Sequence, residues 1–149
     1  MKIKTTKVII NLLIKFSEEL SASDPALCLS YLAHSMLFVN NLSQNGCHEQ
    51  KLKYLPDACS GKIIGGMGMS ESGGGTDVLG MSTSATIVAG DDDHYIMNGS
   101  KMWITNGTLS GSDTGDIFLV YAKTGPRKGA ADLTSFIGTV ESSEISLLY

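Results

Sequence analysis

Up to about residue 60, apolar residues recur at helical spacing. From Gly61 onward that repeat stops, and short apolar runs separated by Gly, Asp and Asn take its place. This change constrains the fold more than any other feature. A helical half followed by a strand half, with no helix between strands, predicts an α+β chain whose sheet is mainly antiparallel. With 149 residues, 42% of them hydrophobic and 17% charged, the chain can bury a core and is too apolar to be disordered.

In the helical half, Val8, Ile9, Leu12, Leu13, Phe16 and Leu20 share one face of an amphipathic helix. Asp24 is placed to cap a second helix, with Pro25 at its first position. The stretch from Ala26 to Gly46 is apolar on nearly all sides, as in a helix buried within a larger assembly, and Asn45-Gly46 ends it. A short polar helix follows and is expected to stop before Pro56.

In the strand half, "KIIGGMGMS", "STSATIVAG", "GDIFLVYAKTG" and "DLTSFIGTV" read as strands, the third fit for the centre of a sheet. "DDDH" reads as an acidic turn. Asn98-Gly99 signals a tight hairpin, with Tyr95 and Met97 on one face before it and Lys101, Trp103 and Thr105 on one face after it.

Seven glycines fall within the eighteen residues Gly65 to Ser82. The run has no Lys before its Thr76, so it is not a Walker loop. Glu71 stands where a dinucleotide fingerprint needs its third glycine. The flanks of Ser70 are wrong for a nucleophile elbow, and nothing places a base beside it. Two readings remain: a surface loop, or a cradle in which bare main chain approaches a ligand, with Ser70 and Thr76 as hydroxyl donors and Asp77 capping the following turn. The Trp103 ring and the Thr105 hydroxyl, two residues apart, suit a planar heteroaromatic group, although a lone Trp is also a common core anchor.

The net charge is −4, and no block of Lys or Arg supports nucleic-acid binding. Cys28, Cys47 and Cys59 lack paired spacing, and His34, His48 and His94 are scattered, so no metal site is expected. No segment is long and apolar enough to span a membrane. The basic start and the run Val8 to Ile14 also resemble a secretory signal, but Asn11 and Lys15 interrupt it and favour the helix. Sequons at Asn41, Asn98 and Asn106 would matter only in a secreted glycoprotein, an alternative resting on that signal-like start.

The glycine stretch and the later motif together resemble the acyl-CoA dehydrogenase family. Its loop runs near M-S-E-P-x-A-G-S-D, against Met69-Ser70-Glu71-Ser72-Gly73-Gly74-Gly75-Thr76-Asp77 here. Its Y-x-L-N-G-x-K-x-W-I-T-N-G is matched from Tyr95 to Gly107. The resemblance runs from about Ser17 to Phe136 and is nearest to the isovaleryl-CoA dehydrogenase branch. Ser72 replaces the family proline, and Thr76 keeps the hydroxyl of the family serine.

That resemblance implies FAD as cofactor and α,β-dehydrogenation of a short or branched-chain acyl-CoA, as in leucine catabolism. It implies that Met67, Gly68, Met69, Ser70, Glu71, Gly75 and Thr76 follow the flavin edge, with Thr76 also near the acyl-CoA. Trp103, Ile104 and Thr105 would lie against the flavin, Thr105 donating near its N5. The implied partners are the acyl-CoA, an electron-transferring flavoprotein and further copies of the chain. The implied location is the mitochondrial matrix, although residues 1–16 contain no Arg and make a poor transit peptide. By the same comparison residues 1–60 form part of an N-terminal helical domain and 61–149 part of a middle β domain. The family's catalytic Glu has no counterpart here, so an inactive fragment of limited stability is expected. A relic that binds only a partner or a full-length homologue is the alternative.

Overall fold

The structure, a computed structural model, describes residues 2–89, 91–110, 113–125 and 132–139. The chain forms two compact units, Met1–Leu32 and Ala33–Tyr149.

The first unit is two helices, α1 (Lys2–Ser23) and α2 (Pro25–Leu32). The break between them is built as the sequence predicts. One carboxylate oxygen of Asp24 accepts the N–H groups of Ala26 and Leu27, each at 3.0 Å, and Pro25 takes the position that has no N–H to satisfy. Phe16 meets Tyr31 edge to face at 5.2 Å, and the Cys28 thiol lies 3.5 Å from the Ser17 carbonyl.

The second unit opens with a π-helical segment, Ala33–Val39, followed by α3 (Asn40–Asn45) and α4 (His48–Cys59). Gly46 ends α3 in extended conformation, its N–H on the Leu42 carbonyl. The Gln50 side chain reaches back to the Cys47 N–H and fixes the start of α4. Contrary to the sequence expectation, α4 runs through Pro56 and ends at Cys59. A proline there forfeits one backbone bond, to Leu52, but the helix continues past it to Cys59, and Gly61, with a φ of 75°, lies just beyond its end.

Among the described residues seven strands follow: β1 (Gly65–Gly68), β2 (Ser84–Val88), β3 (Asp91–Asn98), β4 (Thr108–Ser110), β5 (Asp113–Thr114), β6 (Ile117–Lys123) and β7 (Leu133–Gly138). The main sheet runs β1-β6-β2-β3, with β7 also on β6. As expected, β6 is central, and its residues Ile117 to Val120 are all buried. Most pairing is antiparallel, but β1 lies parallel to β6, Gly65 opposite Ile117 through Gly68 opposite Val120, and β2 also meets β6 in parallel, Ser84 opposite Lys123. The intervening strands and loops supply the long crossover that a parallel pair needs, so no helix is required. One core cluster gathers Phe38, Leu42, Ala58, Ile117 and Leu119, with Met67 and Ile137 packed against it.

Two turn expectations are corrected. Val88 pairs with Asp91, so the chain reverses before the acidic run, and Asp91–Asp93 belong to β3. Asn98-Gly99 does not close a hairpin either, because β3 pairs back onto β2, Ser84 opposite Asn98. Gly99 has a φ of 151°, and a Cβ on it would sit 2.3 Å from the Thr83 hydroxyl. Close passage past Thr83, rather than a tight turn, is what requires glycine there.

Candidate functional site

The bare backbone of β1 is a seat for the segment after Lys101. A Cβ on Gly66 would lie 2.7 Å from the Thr105 carbonyl oxygen, and one on Gly68 would lie 3.2 Å from the Ile104 side chain. On Gly65 it would strike the Phe38 ring at 2.3 Å. Glycine at three of four positions thus lets helix, strand and loop stack without a side-chain layer between strand and loop. The loop is turned by Asn106, whose φ is 65°, and the Gly107 N–H closes the turn on the Ile104 carbonyl at 2.9 Å. The Asn106 amide donates to the Gly65 carbonyl at 3.2 Å. Trp103 also has a positive φ, 61°, and its side chain stands 77% exposed. A bulky residue held in that conformation with its ring in solvent is a local strain that packing within the chain does not repay.

One edge of β1 is open. Gly65 turns its N–H away from β6 to the His34 Nδ1 at 2.9 Å, and its carbonyl away to Asn106. That pattern places the His34 proton on Nε2, which donates to the Ala58 carbonyl at 3.1 Å. Strand residues alternate in direction, so Met67 directs its own N–H and C=O to the same edge as Gly65. Among the described residues no strand pairs there.

Beyond β1 the chain is tied down by a buried ion pair. Lys101, 4% exposed, donates to Glu71 Oε1 at 3.0 Å, to the Met69 carbonyl at 3.1 Å and towards Met81 Sδ at 3.5 Å. Glu71 also accepts the Ser82 N–H and hydroxyl, both at 2.6 Å, and the Thr83 N–H at 2.9 Å together with its hydroxyl. Burial by itself pushes the Glu71 carboxyl up. The hydroxyls and amides of Ser82 and Thr83 outweigh it and hold the group well below the usual carboxylate range. The Met102 N–H binds the Ser70 carbonyl at 2.9 Å.

The two sequence motifs are therefore brought together. Thr105 lies on Gly66 and Ile104 on Gly68, Met102 binds Ser70, and Trp103 between them in the chain stands exposed. The Ser70 hydroxyl is half-buried under Gly75, where a Cβ would come within 3.5 Å of it. Gly75 and Thr76 are exposed in the loop, which is pinched by the Glu71–Gly74 bridge. Asp77 caps the short turn after them, as expected, accepting the Gly80 N–H at 3.0 Å. Glu71 departs from the edge-lining expectation in one respect: its carboxylate turns inward to Ser82, Thr83 and Lys101. Sequence reasoning missed Ser82, Thr83, His34 and Asn106, whose hydrogen bonds to Glu71 and Gly65 span long chain separations, 31 positions for His34 and 41 for Asn106. It placed Lys101 beside Trp103 on a strand face, whereas Lys101 is buried and Trp103 exposed. No group of His, Cys, Asp and Glu suited to a metal occurs among the described residues.

Residues 66–145 match the acyl-CoA dehydrogenase middle domain, and residues 12–62 match the acyl-CoA dehydrogenase N-terminal domain. The chain belongs to the acyl-CoA dehydrogenase family. Its similarity to an isovaleryl-CoA dehydrogenase, mitochondrial, of Solanum tuberosum is 44% identity over 120 residues, 80% of this chain and 27% of that protein. Among solved acyl-CoA dehydrogenases, the butyryl-CoA dehydrogenase of Megasphaera elsdenii is similar at 35% identity and a TM-score of 0.76, covering 85% of this chain and 31% of that one. An FAD complex of PigA is similar at 32% identity and a TM-score of 0.72, covering 80% and 29% respectively. The chain thus spans well under half the length of these relatives. Among its described residues no helix is long and apolar enough to cross a membrane.

Proposed function

We propose that this chain carries the flavin-facing part of an acyl-CoA dehydrogenase site. The observation that supports it best is the seating of Ile104 and Thr105 on the glycines of β1, with the Trp103 ring exposed at 77% beside them. The residues present suit a flat heteroaromatic group on three counts. Glycine leaves main chain bare, the open edge at Met67 offers a donor and an acceptor, and Trp103 presents a ring held in a strained conformation.

In this reading the main chain from Met67 to Ser70 follows the edge of FAD, and the Ser70 hydroxyl donates to it. Trp103 would pack against the ring system, Ile104 would sit beside it, and the Thr105 hydroxyl would donate to the group. Gly75 and Thr76 close the loop over the group, with Thr76 towards the acyl-CoA. Glu71 holds that loop in place through its carboxylate. When bound, FAD supplies hydride acceptance from the β carbon of a thioester whose α proton is removed. The chain's own share is positioning and electrostatic tuning, and no residue here is assigned the proton-abstracting role. Identity to mitochondrial isovaleryl-CoA dehydrogenases favours a short branched acyl-CoA and a mitochondrial location; a place in leucine breakdown and an electron-transferring flavoprotein as partner complete the proposed reading.

The test is FAD uptake. The purified chain is mixed with FAD, desalted and scanned for the visible flavin band. Retained absorbance that Trp103→Ala weakens at least several-fold is expected. A chain that emerges colourless, with Trp103 emission unaltered by FAD, overturns the reading.

A further inference from the structure

We infer that the buried pair Lys101–Glu71 is a positioning latch, joining three chain segments so that Ser70 and Trp103 are held in register at one edge. This rests on the flavin reading above for what that edge binds, but not for the latch itself.

The connections form a closed circuit. The Lys101 ammonium holds the Met69 carbonyl at 3.1 Å and Glu71 at 3.0 Å. Glu71 grips Ser82 and Thr83 through four donors. The next residue after Lys101, Met102, donates its N–H to the Ser70 carbonyl at 2.9 Å. Gly99 passes Thr83 so closely that a Cβ would lie 2.3 Å from its hydroxyl, which returns the circuit to the start of the Lys101 segment. Ser70 and Trp103 each sit within two residues of a latch member. Trp103 is mostly exposed and so is not held by side-chain packing of comparable closeness. A hydrophobic plug would fill the same space with less desolvation cost, but it would not fix the Met69 carbonyl or the carboxylate's four donors in one geometry.

Glu71→Gln/Lys101→Met tests this in the full chain. It removes both charges together, so neither is left buried alone, and Gln keeps an acceptor for one of the Ser82 and Thr83 donor pairs while its amide N–H groups face the other, so the grip of the carboxylate is lost as well as the charge. Leu42→Val, in the core away from the latch, serves as a stability control. Trp103 is the only tryptophan, so its emission reports this edge alone. We expect the double variant to unfold cooperatively in urea, with at least twofold greater iodide quenching of Trp103 and at least tenfold faster exchange of the Met102 amide. Its Kd for FAD should rise at least tenfold, while Leu42→Val leaves Kd within twofold of wild type. Unchanged quenching and exchange in a folded double variant overturn the latch, as does a Kd within twofold of wild type. If the wild-type chain takes up no FAD, the flavin reading fails, and quenching and amide exchange still decide whether the pair orders the edge. If the double variant does not fold, Thr83→Val, which removes one hydroxyl donor from Glu71 at nearly constant volume, is measured instead: raised Trp103 quenching and faster Met102 exchange in the folded variant support the latch, and wild-type values overturn it.

Discussion

At the scale of single residues, the chain invests its least soluble charges where it could have used apolar groups. Glu71 and Lys101 are both buried, and removing one strands the other, at a typical cost of about 3–5 kcal/mol. The pH dependence has a definite sign. The folded Glu71 carboxyl lies below its ordinary value, so its stabilisation is complete above the usual carboxylate range and is lost as the pH falls through and below that range. Urea midpoints between pH ~5 and ~3 should therefore fall more steeply for wild type than for Glu71→Gln, which has no proton to take up. Equal slopes would show that Glu71 titrates alike folded and unfolded. The sequence quoted both residues without joining them. Thirty positions separate them, and no local pattern records which Lys a given Glu meets.

At the scale of elements, the decisive contact is loop on strand. Gly66→Ala places a methyl group 2.7 Å from the Thr105 carbonyl oxygen and 3.1 Å from the Phe118 ring, both in well-packed surroundings. Overpacking of this kind costs about 1–3 kcal/mol. The variant should unfold at lower urea, and its Trp103 emission should shift as the following segment lifts. A Gly66→Ala chain as stable as wild type would mean that the loop does not rest on β1. Other elements were legible in advance for local reasons. Asp24 and Pro25 begin α2 because capping is a matter of adjacent residues, and the apolar run 117–122 is central because both of its faces are buried. The expected hairpin at Asn98-Gly99 was not formed: among the described residues β3 pairs only with β2, and the chain after Gly99 passes Thr83 and turns inward at Lys101 instead of returning along the free edge of β3. Pro56 did not stop α4, because tertiary packing around Ala58 outweighs one missing bond.

At the scale of the whole molecule, much apolar surface remains uncovered. Leu12, Phe16, Leu27, Leu29, Met36 and Leu37 are all exposed, Leu12 at 62% and Leu29 at 59%. Scattered apolar residues are ordinary, but runs of them along helices mark surfaces that associate. The stretch from Ala26 to Gly46 is expected from its sequence to lie buried within a larger assembly; within it Leu27, Leu29, Met36 and Leu37 are exposed while Phe38 is fully buried. The isolated chain should bind a hydrophobic dye and sediment as concentration-dependent oligomers. Leu12→Ser/Leu29→Ser should reduce both signals without lowering the urea midpoint. A monomer at every concentration, with no dye binding, would show that these side chains need no partner.

The sequence by itself determined the α+β order of elements, the helix starts, the central strand and the family, because each is written in short-range patterns of apolar spacing, capping and motif. Tertiary structure alone decided which segments meet: glycine strand under Thr105, Lys101 onto Glu71, His34 onto Gly65. Those choices depend on competition among distant partners for the same buried space, and a free energy shared across the fold leaves no signature at any one position.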